Sequence, residues 1–222
     1  MKKINIAIDG PVASGKSTIA KQLAKKLGYI HIDTGAMYRC VAYLALSNNV
    51  DLNDEKALED ITKQNNITLT ADGKILCNNI DVTEVIRTNE VSTAASQVSV
   101  FSSVRENLVK QQQEMAKQKG IVMDGRDIGT VVLPDADLKI FQTASAESRA
   151  DRRYQEYVSK DMVSDYKQLV DDINSRDYAD THREVSPLKK AADAIEIDTS
   201  SLTIEQVIQK IEDEIEKVMN HD

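Results

Sequence analysis

Gly10-Pro11-Val12-Ala13-Ser14-Gly15-Lys16-Ser17-Thr18 stands between the apolar run Lys3-Ile4-Asn5-Ile6-Ala7-Ile8-Asp9 and the segment Ser17 to Leu27. Its first eight residues fit G-x-x-x-x-G-K-[ST]. The run before it reads as a strand ending in a glycine-containing turn. The segment after it reads as a helix with Ile19, Leu23, Ala24 and Leu27 on one face and Gly28 as its stop signal. That context is what a phosphate-binding loop requires. Glycines let the backbone curl so that N–H groups face phosphate oxygens, and the helix start adds partial positive charge. Lys16 can reach the β- and γ-phosphates of a nucleotide, and Ser17 can hold Mg²⁺. The bland alternative is a glycine turn carrying a surface lysine.

Outward from this loop, strands and helices alternate. Tyr29 to Asp33 is a second short strand, Gly35 to Ser47 a helix that is apolar on most sides, and Asp54 to Asn65 another helix. Ile67 to Leu76 changes character: Ile67-Thr68-Leu69-Thr70 and Lys74-Ile75-Leu76-Cys77 flank Ala71-Asp72-Gly73, a hairpin signal. Ser102 to Lys119 returns to helix. Ile121-Val122-Met123-Asp124 and Leu138-Lys139-Ile140-Phe141 are strands, Ala146 to Val158 and Tyr166 to Asp177 helices, and Ala194 to Asp198 a last strand. Ile204, Val207, Ile208, Ile211, Ile215 and Val218 form the core stripe of a C-terminal helix. The pattern predicts an α/β fold with a doubly wound, mostly parallel five-stranded sheet and helices on both faces. The segment from about Asp51 to Ser103 breaks the alternation and reads as an insertion.

Composition narrows the function classes. The chain has 222 residues, 41% hydrophobic and 29% charged, which suits one globular domain. Its longest apolar run, Cys40 to Leu46, is far below the roughly 20 residues that span a bilayer, and Asp9 interrupts the N-terminal apolar stretch, so no membrane contact and a cytoplasmic location are expected. Cys40 and Cys77 are the only cysteines and read as packed thiols. His31, His182 and His221 lack metal-ligand spacing and are given no catalytic role. A net charge of -8 argues against broad nucleic-acid binding. A few clustered cations can still hold a small anion, and the chain has nine arginines to examine. No D-x-x-G or N-K-x-D motif accompanies the phosphate loop, which argues against a GTPase switch.

The arginines gather where ligands bind in such sheets. Asp33-Thr34-Gly35-Ala36-Met37-Tyr38-Arg39 follows the second strand, and Asp124-Gly125-Arg126-Asp127 follows a later one. Asp124 ends an apolar strand, the position of an acid that orients Mg²⁺. Arg149, Arg152 and Arg153 share a helix face, where like charges repel unless an anion sits among them; local pairing of Arg152 with Glu156 is the alternative. Arg176, Asp180 and Arg183 share a face if their helix continues, an arrangement able to serve a sugar hydroxyl and a phosphate. Surface ion pairing is the bland reading of each.

These motifs, with Ala95-Ser96-Gln97-Val98, Ile128-Gly129-Thr130-Val131-Val132 and Arg149-Ala150-Asp151-Arg152-Arg153, together resemble bacterial cytidylate kinases, essentially from Met1 to the last helix. The resemblance implies a nucleoside monophosphate kinase with a core at about 1–35, 104–145 and 190–222. It implies a monophosphate-binding region with its insertion at about 36–103, and an arginine-bearing lid with its adjoining helices at about 146–189. It implies transfer of the γ-phosphoryl of ATP to CMP or dCMP with Mg²⁺. Position by position, Ser96, Arg105 and Asp127 match residues that read cytosine, and Arg176 and Asp180 match pentose contacts. Arg183 matches a further nucleotide contact, Arg39 and Arg126 match acceptor-phosphate ligands, and Arg149 and Arg153 match lid arginines. Thr34 stands where relatives often carry serine.

The chemistry of the residues agrees. Phosphoryl transfer needs positioning, charge neutralisation and exclusion of water rather than a covalent protein intermediate. The expected catalytic set is Lys16, Arg126, Arg149 and Arg153, with Ser17 and Asp124 as the metal pair. Asp127 can accept from the cytosine amine, while Arg105 and Ser96 donate to the ring nitrogen and carbonyl. Expected partners are CMP, dCMP and ATP, with no nucleic acid, and the chain is expected to be a monomer. The rivals are a kinase for another small acceptor, such as a different nucleotide or shikimate, and a nucleotide-dependent binding protein that does not turn over.

Overall fold

The computed structural model describes residues 3–70, 73–159 and 165–220. Strand β1 (Asn5–Asp9) is buried at all five positions and lies at the centre of a sheet. A strand covered on both faces needs a continuous apolar run, and Ile6-Ala7-Ile8 supplies it. Strands β2 (Ile30–Asp33), β6 (Ile121–Gly125), β7 (Leu138–Thr143) and β8 (Ile195–Asp198) complete the sheet in the order β2-β6-β1-β7-β8. Every pairing is parallel. The register sets Asp9 beside Gly125 and Phe141, and Asp33 beside Asp124. The carboxyl ends of three strands therefore finish level, where the chain also reverses direction across β1, the position at which such sheets bind ligands.

Helix α1 (Lys16–Leu27) buries Ile19, Ala20, Leu23 and Ala24. They share one core with the inner residues of β1 and with Val207, Ile208, Ile211 and Ile215 of helix α8 (Ile204–Asn220). The opposite face of the sheet packs Ala7, Ile32 and Met123 against Ala116 of helix α5 (Ser102–Ala116) and against Ile128 and Val132. The last two belong to a π-type turn, Ile128–Val132, directly after β6.

A second core joins helix α2 (Thr34–Ser47), helix α3 (Glu55–Gln64), helix α4 (Asn89–Val98) and the start of α5 to a small sheet. That sheet has three antiparallel strands in sequence order, β3 (Ile67–Leu69), β4 (Ile75–Cys77) and β5 (Ile80–Asp81), one more than the hairpin signal predicted. Asn78 and Asn79 both adopt positive φ, which makes the tight turn that pairs Cys77 with Ile80. Ala71 and Asp72 of the predicted first turn, and His221, lie outside the described residues. Helices α6 (Ala146–Ser159) and α7 (Tyr166–His182) pack Ala150 and Ile173 around Val12 of the glycine loop.

Candidate active site at the phosphate loop

The loop after β1 is shaped by contacts that its sequence anticipates. A Cβ on Gly10 would lie 2.1 Å from the carbonyl oxygen of Gln142, so only glycine fits. Ala13 and Gly15 both turn through positive φ before α1 begins. Lys16 is 5% exposed and its Nζ donates to the carbonyl of Pro11 at 2.7 Å. Burial and the neighbouring Arg126 guanidinium push its ammonium down to about 7, against the pull of Asp124, Asp180 and Asp9. A buried cation beside another cation is a site in need of an anion.

Ser17 and Asp124 come together across the sheet. The Ser17 hydroxyl donates to Asp124 Oδ2 at 2.7 Å, and His31 Nε2 lies 2.7 Å from Asp124 Oδ1. The Thr34 hydroxyl donates to the backbone carbonyl of Asp124, also at 2.7 Å. One hydroxyl and one carboxylate are hard oxygen donors. They fit Mg²⁺ when phosphates and water complete the shell, and Mg²⁺ is commonly held that way. Among the described residues no group of three His, Cys, Asp or Glu forms a self-sufficient metal cage. His31, which the sequence reading left without a role, holds the carboxylate from the other side.

The other predicted residues surround a cavity of about 660 Å³ that opens from the phosphate loop. Lys16, Ser17, Thr18, Thr34, Arg39, Ser96, Arg105, Asp124, Arg126, Asp127, Arg153, Arg176, Asp180 and Arg183 all line it. Asp33 caps α2 by accepting from the Ala36 N–H at 2.9 Å and holds Arg39 at 2.8 Å. Burial pushes its carboxyl up, but Arg39 and the Ala36 N–H outweigh this and hold it below the usual range. Arg126 Nε donates to Asp180 at 2.7 Å, and Arg183 approaches the same carboxylate at 3.8 Å. Arg105 pairs with Asp127, donates to the Ser99 carbonyl and lies 5.2 Å over the Tyr38 ring. Arg183 stands 3.7 Å from the other oxygen of Asp127. Arg176 reaches the Ser96 hydroxyl at 3.4 Å and so links α7 to α4. The buried Nε atoms of Arg39 and Arg105 have no hydrogen-bond partner among the described residues.

Arg149 sits apart from this lining. It is 5% exposed, pairs with Asp177 at 2.6 Å and donates to the Val12 carbonyl at 3.0 Å. Asp177 also accepts from the Val12 N–H at 3.3 Å, so the two residues brace the back of the loop. Arg152 donates to the carbonyls of Ser14 and Thr199. Arg153 faces the cavity with its guanidinium 5.5 Å over Tyr157. Asp177, Gln142, whose amide donates to the Ser14 carbonyl, and the cavity-lining Arg87 were not singled out from sequence. No local motif marks them, because their partners lie far away in the chain.

A second cavity of about 420 Å³ adjoins the first. Both are lined by Ala13, Ser14, Gly15, Thr18, Arg153 and Glu156. The second is otherwise walled by Gln142, Arg152, Thr199, Leu202, Ile204 and Val207 and is more apolar. Two chambers thus meet at one phosphate loop.

A sequence model of the family described as Cytidylate kinase matches residues 6–217. The chain belongs to the cytidylate kinase family. It is 54% identical over 219 residues to the cytidylate kinase of Bacillus subtilis (strain 168), covering 97% of this chain and 98% of that one. It is 55% identical to the cytidylate kinase of Caldicellulosiruptor bescii over the whole of both chains. Among solved structures, shikimate kinase from Bacteroides thetaiotaomicron superposes with a TM-score of 0.51 at 13% identity, covering 97% of this chain and 99% of that one. An uncharacterized protein from Eubacterium ventriosum gives 0.54 at 14% identity, covering 97% and 99%. At such identities these two likenesses speak to the fold alone. The fold that carries the phosphate loop and the Asp127 turn in this chain is thus shared with a shikimate kinase.

Proposed function

We infer that this chain is an ATP:CMP phosphotransferase that converts CMP or dCMP to the diphosphate. One observation carries the reading. The buried Lys16, seven of the nine arginines and the Arg105–Asp127 pair line a single cavity, which adjoins a more apolar chamber at the phosphate loop and at Arg153 and Glu156. The smaller chamber suits the adenine of ATP, and the larger one suits a nucleoside monophosphate. An acceptor phosphate is already an oxyanion. Its attack on the γ-phosphorus calls for cations and alignment rather than a general base. Lys16, Arg126 and Arg153 are placed to neutralise the transferring group, and Arg39 to hold the acceptor phosphate. Arg149 acts from behind the loop, through Val12 and Asp177. When bound, Mg²⁺ adds charge neutralisation on the donor phosphates, and Ser17 and Asp124 would hold it. Asp127 accepts from the cytosine amine, with Ser96 and Arg105 turned to its acceptor edge. Arg176 and Asp180 serve the pentose. Residues at about 146–189 act as the lid that carries Arg153 onto the phosphates. A panel of CMP, dCMP, UMP, AMP and shikimate with ATP and Mg²⁺ tests the reading. CMP and dCMP should turn over with the highest kcat/KM. Preference for another acceptor, or nucleotide binding without turnover, would overturn it.

A further inference from the structure

Asp9 closes β1 and directly precedes Gly10, the first residue of the phosphate loop. It is 4% exposed. Oδ1 accepts from the Ile128 N–H at 2.8 Å, and Oδ2 accepts from the Gly129 N–H at 2.7 Å. These are the first two amides of the π-type turn whose N-terminal flanking residue is Asp127. The first amides of a helical turn have no partner within it, and a carboxylate is their best acceptor. The arrangement occurs on neighbouring strands, because β1 and β6 pair in register with Asp9 beside Gly125. The junction is also crowded. A Cβ on Gly129 would come within 3.4 Å of Asp9 Oδ2 and 3.2 Å of the Lys139 side chain. A Cβ on Gly125 would lie 2.5 Å from Thr34 Oγ1.

We propose that Asp9 is a positioning residue that sets the base-reading turn at a fixed place relative to the phosphate loop, and so contributes to the choice of nucleobase. The inference rests on the CMP kinase reading. Asp127 can discriminate an amine from a carbonyl only if its carboxylate is held within a fraction of an ångström of the base edge. Arg105 and Arg183 hold the tip of its side chain. Its backbone is held by the turn, and the turn is held by Asp9. The same Asp9 begins the loop that holds the phosphates. One carboxylate therefore spans the two ends of the acceptor–donor assembly.

An amide at position 9 cannot replace it. Asp9→Asn keeps the size but turns an NH₂ toward one of two N–H donors, so one bond is lost and two donors face each other. The expected result is a rise in KM for CMP of about tenfold with KM for ATP changed less than twofold, and a CMP/UMP ratio of kcat/KM narrowed by about fivefold or more. Equal losses toward CMP and UMP, or equal rises in both KM values, would show Asp9 to be a structural residue and overturn the proposal. Wild-type protein measured in the same assay separates the two levels. No turnover of CMP by wild type refutes the kinase reading itself, while wild-type turnover with an unchanged ratio in the variant refutes only the role of Asp9.

A measurement on the unaltered protein covers the case in which the variant fails to fold. Burial pushes the Asp9 carboxyl up to about 6, the backbone amides of Gly129 and Ile128 lower it, Asp127 raises it and Lys16 lowers it. Lys139 on β7 flanks the same junction, its ammonium held by Asp193 and the Pro134 carbonyl. The amide resonances of Ile128 and Gly129 should shift together with a midpoint near pH 6. Amides of Ile128 and Gly129 that do not move together anywhere between about pH 3 and 8 would mean that the carboxylate does not hold the turn, and would sink the proposal.

Discussion

In the proposed reaction two residues carry the chemistry most directly, Lys16 and Asp127. Lys16 is buried beside Arg126, Asp124, Asp180 and Asp9, and in the proposed reaction a triphosphate would supply further negative charge. A preorganised donor of this kind contributes about 3–4 kcal/mol at the transition state. Lys16→Ala is therefore expected to lower kcat by roughly 10²–10³-fold with the fold intact by circular dichroism. Near-normal turnover at saturating ATP and CMP would remove Lys16 from the mechanism. Asp127 sits between Arg105 and Arg183, which keep an acceptor in the cavity wall. A site built to bond a substrate amine rejects an analogue lacking it by up to about 10⁴-fold. Asp127→Asn offers both a donor and an acceptor. It should cost CMP far more than UMP in kcat/KM and narrow the ratio between them. If both substrates suffer alike, Asp127 only braces its arginines.

Element by element, the regular strands and the amphipathic helices were readable in advance, and the irregular pieces were not. Val207, Ile208, Ile211 and Ile215 of the α8 stripe lie in the core with Val218 packed against them, but Ile204 is 39% exposed and walls the smaller cavity. Helix α7 does continue past Asp177 to His182, which puts Arg176 and Asp180 on the cavity side. Helix α4 went unread because Asn89 to Val98 is rich in Ser, Thr and Val, which are weak helix formers. Its Thr88 cap and its packing against α2 supply what propensity lacks. Strand β5 was missed for a similar reason. It is two residues long and its turn is Asn78-Asn79 rather than the more telling Asn-Gly. Helix α6 holds three arginines in different settings: Arg149 is locked behind the loop, Arg152 bonds the Ser14 and Thr199 carbonyls, and Arg153 faces the cavity. Arg153→Ala should therefore lower kcat strongly while the Kd for CMP, read by calorimetry, changes little. Lost CMP affinity at unchanged kcat would make Arg153 an acceptor ligand instead.

Over the whole molecule, the site is assembled at some expense to stability. Burial lifts the Asp9 carboxyl from 3.8 to about 6, so between those values the folded protein binds a proton that the unfolded chain does not. That contribution is complete below about pH 4 and is lost as pH rises through 6. The gap corresponds to roughly 3 kcal/mol. Asp9→Asn has no such titration, so its stability relative to wild type should improve by that order between pH 4 and pH 7 in urea unfolding. A difference between the two that does not vary with pH would contradict the assignment. The order of strands and helices, the phosphate loop and most of the charged residues around it were legible along the chain, because periodicity and turn chemistry act over a few neighbours. Partnerships across long separations were not. Asp9 with the 128–129 amides, His31 with Asp124, and Asp177 with the back of the loop join residues that sheet register and helix packing bring together. A local pattern names the groups that can bind phosphate, but which of them face the cavity and which stand behind it depends on contacts that exist only once the chain has closed on itself.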